Sequence, residues 1–118
     1  LTLGADPMAT ATSLISYQKG KPIRAFIVRK DIKGHGTKNA VEGNVGSGEK
    51  VAILDDVITT GGSTITAIER AREIGLDVDR VIVLVDREEG GRENIEKYIK
   101  RIDAIFSRTD IMELHKKG

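Results

Sequence analysis

Val51-Ala52-Ile53-Leu54-Asp55-Asp56-Val57-Ile58-Thr59-Thr60-Gly61-Gly62-Ser63 decides the fold: an apolar run empties into two carboxylates, and a turn of small residues then opens a helix. Residues 51–54 read as a strand covered on both faces, because such strands show continuous rather than alternating apolarity. The helical pattern resumes only after Ser63, with Ile65, Ile68, Ala71 and Ile74 at helical spacing and Gly75 as the stop. Acids and glycines therefore stand at a strand's carboxyl end, where open α/β sheets bind ligands. Gly61 and Gly62 can take positive φ and carry no Cβ, so several N–H groups can approach one anion. Thr59, Thr60 and Ser63 add hydroxyl donors, and the helix start adds free amides and the positive end of its dipole. A phosphate monoester fits that cradle. Asp55 and Asp56 would repel the phosphate, which assigns them to neutral hydroxyls nearby, as on a ribose. The expected ligand is a pentose 5-phosphate. An ordinary strand-turn-helix connection with a capping serine does not require two adjacent acids, whose burial carries a desolvation cost.

The rest of the chain alternates in the same way. Residues 23–28 and 81–85 are further apolar strands, and the second runs into Asp86-Arg87-Glu88-Glu89-Gly90-Gly91. By itself that charged turn reads as exposed surface. One βα unit after the sugar site, Arg87 becomes a partner for a substrate carboxylate, since a guanidinium pairs with it in bidentate fashion. At the start, Leu3-Gly4-Ala5-Asp6-Pro7 reads as a strand end and turn, with Asp6 capping a helix and Pro7 in its first turn. A helix is expected over 92–101 with Ile95, Tyr98 and Ile99 inward, a short strand over 103–107, and a closing helix over 109–117 begun by Thr109 or Asp110. The fold class is α/β, an open parallel sheet with flanking helices, and residues 1–118 form a single domain.

Between the first strand and the phosphate motif lies a different kind of segment. Arg29-Lys30-Asp31-Ile32-Lys33-Gly34-His35-Gly36-Thr37-Lys38 packs four cations and a histidine into ten residues. No sustained apolar period follows as far as Gly48, and glycines recur at 34, 36, 43, 46 and 48. A loop of this length in a compact domain is a functional lid or a disordered segment. A lysine-rich loop is most often plain solvated surface; the clustering of cations around a histidine that titrates near neutral pH favours a lid over about 29–48. Residues 43–50 do not form a nucleotide phosphate loop, because Glu49 precedes Lys50, no Ser or Thr follows, and the segment leads into a strand.

The thirteen residues of the opening motif resemble the phosphoribosyl-pyrophosphate motif of type I phosphoribosyltransferases. The resemblance implies that Asp55 and Asp56 contact the ribose 2- and 3-hydroxyls, and that Val57, Ile58, Thr59, Thr60, Gly61, Gly62 and Ser63 wrap the 5-phosphate. The pattern Arg-Lys-x-x-Lys-x-His-Gly is similar to the catalytic loop of orotate phosphoribosyltransferases. It implies that Arg29, Lys30, Lys33 and His35 hold the pyrophosphate leaving group from a lid that closes over the neighbouring subunit of a homodimer. Cations delivered by such a lid stabilise charge gathering on departing pyrophosphate and exclude water; Lys33 and His35 both remain candidates for the proton donor. The stretch Asp86 to Glu89 is similar to the Asp-Arg-x-Glu segment of the same enzymes, which implies orotate binding by Arg87, with Thr59 also touching the base. The Gly-Ala-x-Pro turn at Gly4 resembles one that lies against pyrophosphate. Mg²⁺ held mainly by the substrate is the implied cofactor. A hood segment precedes this core in the family, so the chain is expected to be a fragment lacking it.

Composition narrows the alternatives. Nineteen basic against eighteen acidic residues give a net charge of +1, so no general affinity for nucleic acid or an acidic membrane is implied. With no cysteine and two distant histidines, thiol chemistry and a protein-held metal are not expected. The apolar runs are too short for a membrane span and no cleavable signal is visible, which points to the cytoplasm. The reading is therefore an orotate phosphoribosyltransferase core that moves ribose 5-phosphate from phosphoribosyl pyrophosphate to orotate. The rivals are a purine or uracil phosphoribosyltransferase, and a non-enzymatic regulator that senses phosphoribosyl pyrophosphate.

Overall fold

The computed structural model describes residues 4–28, 41–42 and 46–117. In chain order the elements are α1 (Asp6–Gln18), β1 (Ile27–Val28), β2 (Val41–Glu42), β3 (Lys50–Ile58), α2 (Gly62–Glu73), β4 (Asp77–Asp86), α3 (Gly91–Glu96), β5 (Ile102–Ser107) and α4 (Arg108–Lys117). β3, β4 and β5 form a parallel sheet in that order, and β1 and β2 pair antiparallel as a separate ribbon. The expected open parallel sheet with flanking helices is the observed architecture.

Parallel register fixes what lies at the sheet's carboxyl edge. Ile58 stands opposite Asp86, and Asp86 opposite Ser107, so the turns after β3, β4 and β5 leave at one level. The core sits on the face covered by α2 and α3, where Ile68, Val81, Val83 and Ile95 are fully buried beside Ile53, Ile58, Ala67 and Ala71. Thr64 and Ala67 join Ile68 and Ala71 on the buried side of α2, while Ile65 and Ile74 pack at its margin. Gly75 takes φ +89° and ends the helix as its sequence position implied.

Several boundaries differ from the sequence expectation, each for a physical reason. β3 does not stop at Leu54 but carries Asp55, Asp56, Val57 and Ile58, because backbone pairing with β4 continues to Asp86 whatever the side chains. Its cover is one-sided among the described residues: Ile53 is buried, Ala52 is exposed, and Leu54 borders a cleft beneath α1. β1 is shorter than 23–28, and β2 falls inside the segment read as a structureless lid. α1 starts with Ala5 as its N-cap, so Asp6 is the first helical residue and not the cap; its charge still favours the helix start, and Pro7 sits in the first turn. α3 ends at Glu96 because the chain must turn to enter β5, where the Arg101 carbonyl accepts from the Val81 N–H at 2.8 Å. Ile95 and Ile99 face inward as expected, and Tyr98 faces solvent. α4 is opened by a reciprocal box: the Ser107 N–H donates to Asp110 Oδ2 at 3.0 Å and the Asp110 N–H to Ser107 Oγ at 3.1 Å. Ser107 is therefore the cap, in place of Thr109 or Asp110. Among the described residues no helix is long and apolar enough to cross a membrane.

The turns after β3 and β4 touch so closely that Gly91 cannot carry a side chain. A Cβ there would stand 2.5 Å from the Thr59 carbonyl oxygen and 3.2 Å from the Gly61 nitrogen. Gly91→Ala is expected to lower unfolding free energy by about 1–3 kcal/mol through overpacking, read as a lower urea midpoint at unchanged slope. A midpoint equal to that of the parent protein would contradict this packing.

Candidate active site

Side-chain alternation along β3 divides the paired acids. Asp55 points to the α2 face and is only 6% exposed. There Thr64 Oγ1 donates to its Oδ2 at 2.7 Å, and the Asp56 N–H donates to its Oδ1 at 2.9 Å. Asp56 faces the other way, half-buried, beside the turn that starts α1. A Cβ built on Gly4 would fall on the Asp56 carboxylate, so a glycine at this place keeps the carboxylate accessible. The turn at Gly4 and the phosphate motif, distant in sequence, thus meet at Asp56.

The two carboxyls differ in acidity for the same geometric reason. Burial raises Asp55 above the ordinary aspartate value, against the opposing hydrogen bond from Thr64. The hydrogen bond from the Asp55 side chain holds Asp56 below its ordinary value, in spite of partial burial. Asp55 is thus the carboxyl held by the protein, and Asp56 is the one turned outward.

The turn that follows supplies donors. Gly61 takes φ +89° as the N-cap of α2, a left-handed conformation that favours glycine. Among the described residues no side chain caps α2, which leaves its first amides for another acceptor. Gly62 is the first residue of the helix and does not use the positive φ open to it; a Cβ there meets nothing within 4 Å. Thr59 and Thr60 lie exposed on the turn, and Ser63 on the first turn of α2.

One strand over, Gly90 repeats the device with φ +90° as the N-cap of α3. The Arg87 N–H donates to the Ile58 carbonyl at 3.1 Å, which puts Arg87 at the very start of the turn after β3. Its guanidinium is half-exposed and pairs with Glu89 at 3.0 Å, an ion pair worth little in solvent and open to exchange for a ligand carboxylate. Asp86, 6% exposed, accepts from the Glu88 N–H at 2.9 Å and faces Arg92 Nε at 3.7 Å. Glu88 has φ 59°, the one positive value off glycine among the described residues. Its carboxylate accepts from the Thr109 N–H at 2.7 Å and so ties this turn to the first turn of α4.

Asp55, Asp56, Val57, Ile58, Thr59, Thr60, Gly61, Gly62, Ser63 and Arg87 are thus gathered along one edge of the sheet. Arg29, Lys30, Lys33 and His35 lie outside the described residues, as does most of the segment read as a lid. Sequence reasoning missed Thr64, Gly91, Asn94 and Glu88. A signal was present for Gly91, since Gly90-Gly91 follows a strand and opens a helix just as Gly61-Gly62 does; for Asn94 there was none.

The whole chain is similar to known orotate phosphoribosyltransferases. That of Aquifex aeolicus is 49% identical over 112 residues, a match covering 95% of this chain and 61% of that protein. The crystal structure of the Aeropyrum pernix enzyme superposes with a TM-score of 0.80 at 35% identity, over 100% of this chain and 63% of that one. The Mycobacterium tuberculosis enzyme, crystallised with 5-phospho-alpha-D-ribosyl 1-diphosphate, gives 0.77 at 37% identity, over 92% and 60%. The chain therefore spans about three fifths of the length of these relatives. No protein-family model matches it.

The Glu88 contact has a pH signature. Hydrogen bonds from Thr109 hold the Glu88 carboxyl below the ordinary glutamate value. A lowered carboxyl stabilises the fold above its unfolded-state value, near 4.5, and that contribution is lost as pH falls through the folded-state value. Glu88→Gln is expected to be less stable than the parent at pH 7, with the gap closing below about pH 4; urea melts at both pH values read it. A gap that persists unchanged in acid would contradict the contact.

Proposed function

We propose that the chain, similar to orotate phosphoribosyltransferases over 95% of its length, forms the phosphoribosyl-pyrophosphate-binding core of an enzyme of that family, which makes orotidine 5-phosphate and pyrophosphate from orotate and phosphoribosyl pyrophosphate, a step of UMP synthesis. The observation that carries this reading is the shared sheet edge. The uncapped start of α2 at Gly61, the outward carboxylate Asp56 and the guanidinium of Arg87 stand there together, three chemistries that match a phosphate, a ribose diol and a carboxylate.

In this reading the 5-phosphate accepts from the backbone between Val57 and Ser63 and from the hydroxyls of Thr59, Thr60 and Ser63. Asp56 accepts from the ribose hydroxyls directly. Asp55 contributes by fixing Asp56 and the start of α2, and reaches the ribose only if its bond to Thr64 opens. Arg87 exchanges Glu89 for the orotate carboxylate, with Thr59 against the ring. Arg29, Lys30, Lys33 and His35 take the pyrophosphate, with Lys33 or His35 giving a proton or hydrogen bond to the leaving oxygen. Mg²⁺ bound with the substrate would supply charge neutralisation on the pyrophosphate, and the outward Asp56 carboxylate is the described group that could face it. The basic lid acts across a homodimer. Because phosphoribosyl pyrophosphate does not cross membranes, the reaction belongs to the cytoplasm.

Two measurements on the full-length protein test this. With Arg87→Ala, KM for orotate is expected to rise about tenfold to a hundredfold while KM for phosphoribosyl pyrophosphate stays within about threefold; an unchanged orotate KM would refute the assignment. Mixing an inactive Lys33→Ala protein with an inactive Asp56→Asn protein is expected to restore up to about a quarter of the activity through hybrid dimers. No restoration would place lid and ribose site on the same subunit.

A further inference from the structure

Resting on the proposed phosphoribosyl-pyrophosphate site, we propose that Asn94, on α3, is the positioning residue that aims the phosphate loop. Asn94 Nδ2 donates to the Thr60 carbonyl oxygen at 2.9 Å, across 34 residues of sequence. The peptide joining Thr60 to Gly61 is planar and trans, so a carbonyl drawn toward Asn94 sends the Gly61 N–H in the opposite direction, away from α3. Gly61 is also the N-cap of α2, so the same peptide sets the orientation of the amides that follow it.

Asn94 does not act on a loose loop. Gly91 lies against the Thr59 carbonyl, and a Cβ on Gly61 would meet the Gly91 carbonyl oxygen and the fully buried Ile95 side chain, each at 3.0 Å. The Asn94 N–H itself donates to the Gly90 carbonyl at 3.1 Å, which fixes its backbone in the first turn of α3. These packing contacts limit where the loop can sit, but none of them distinguishes the two faces of the Thr60 peptide. The amide of Asn94 does, because the atom it presents here is Nδ2, which donates to the carbonyl. A peptide flip at this point would turn an acceptor toward the bound phosphate and cost a hydrogen bond as well.

The role is chemical and separable from space filling. Asn94→Asp keeps the shape but sets an acceptor against an acceptor, so a donor requirement makes it worse than Asn94→Ala; a packing role makes it harmless. In the full-length protein, Asn94→Ala is expected to weaken phosphoribosyl pyrophosphate about tenfold, the effect of one lost hydrogen bond in a preorganised loop. Asn94→Asp is expected to weaken it further, and both variants should leave orotate KM within about twofold. Titration calorimetry with phosphoribosyl pyrophosphate, steady-state KM values for both substrates and a thermal melt of each variant supply the readouts. Asn94→Asp binding as tightly as the parent, or both substrates weakening equally at an unchanged melt, would overturn the proposal. If Asn94→Asp melts far below the parent, the Asn94→Ala split between substrates decides alone. Failure of the parent protein to bind phosphoribosyl pyrophosphate would strike the proposed function itself, whereas a parent that binds and variants that bind equally would strike only the role of Asn94.

Discussion

A buried carboxylate at the end of β3 sets the geometry on which the site depends. Asp55 accepts from Thr64 Oγ1 on the first turn of α2 and from the next main-chain amide of its own strand. The Thr64 bond ties the strand to the helix, and because neighbours on a strand point to opposite faces, holding Asp55 on the α2 side leaves Asp56 on the outer side. Burial raises the Asp55 carboxyl above its ordinary value, and the neighbouring Asp55 side chain lowers that of Asp56, the acid turned outward.

Around that clamp the fold supplies a flat edge. Parallel pairing brings the ends of β3, β4 and β5 into register, and two left-handed glycines, Gly61 and Gly90, turn the chain sharply into α2 and α3. The turns then pack on each other through Gly61, Gly91 and Asn94. The loop proposed to hold the phosphate is accordingly a braced element, which suits a site that must present fixed dipoles to a charged ligand. By contrast the Arg87 side chain is half-exposed and pairs with a neighbouring glutamate, as would suit a group that changes partner on binding.

Much of this was legible in the residues themselves. The apolar run ending in Asp55-Asp56 and the glycine turn named a strand end and an anion cradle, and the helical spacing of Ile68 and Ala71 named the buried face of α2. What the sequence could not separate were the roles of two identical acids, since their difference comes from strand alternation and from Thr64, a residue with no motif value. The strand limits were missed because backbone pairing continues past the last apolar side chain, through Asp55 and Asp56 to Ile58. Tyr98 lies past the last residue of α3 and faces solvent, although Ile99 beside it keeps the inward place that helical spacing gave it. Long-range contacts such as Asn94 to Thr60 leave no trace in a single sequence at all.

The central claim is that one sheet edge binds a sugar phosphate with its charge on the α2 amides and its hydroxyls on Asp56. A crystal structure of the full-length protein with phosphoribosyl pyrophosphate and Mg²⁺ tests it most directly. The account predicts the 5-phosphate within hydrogen-bonding distance of the amides from Gly61 to Ser63, the ribose hydroxyls on Asp56, and Asp55 still bonded to Thr64. A 5-phosphate bound away from that turn, or a ribose whose hydroxyls leave Asp56 untouched, would contradict it.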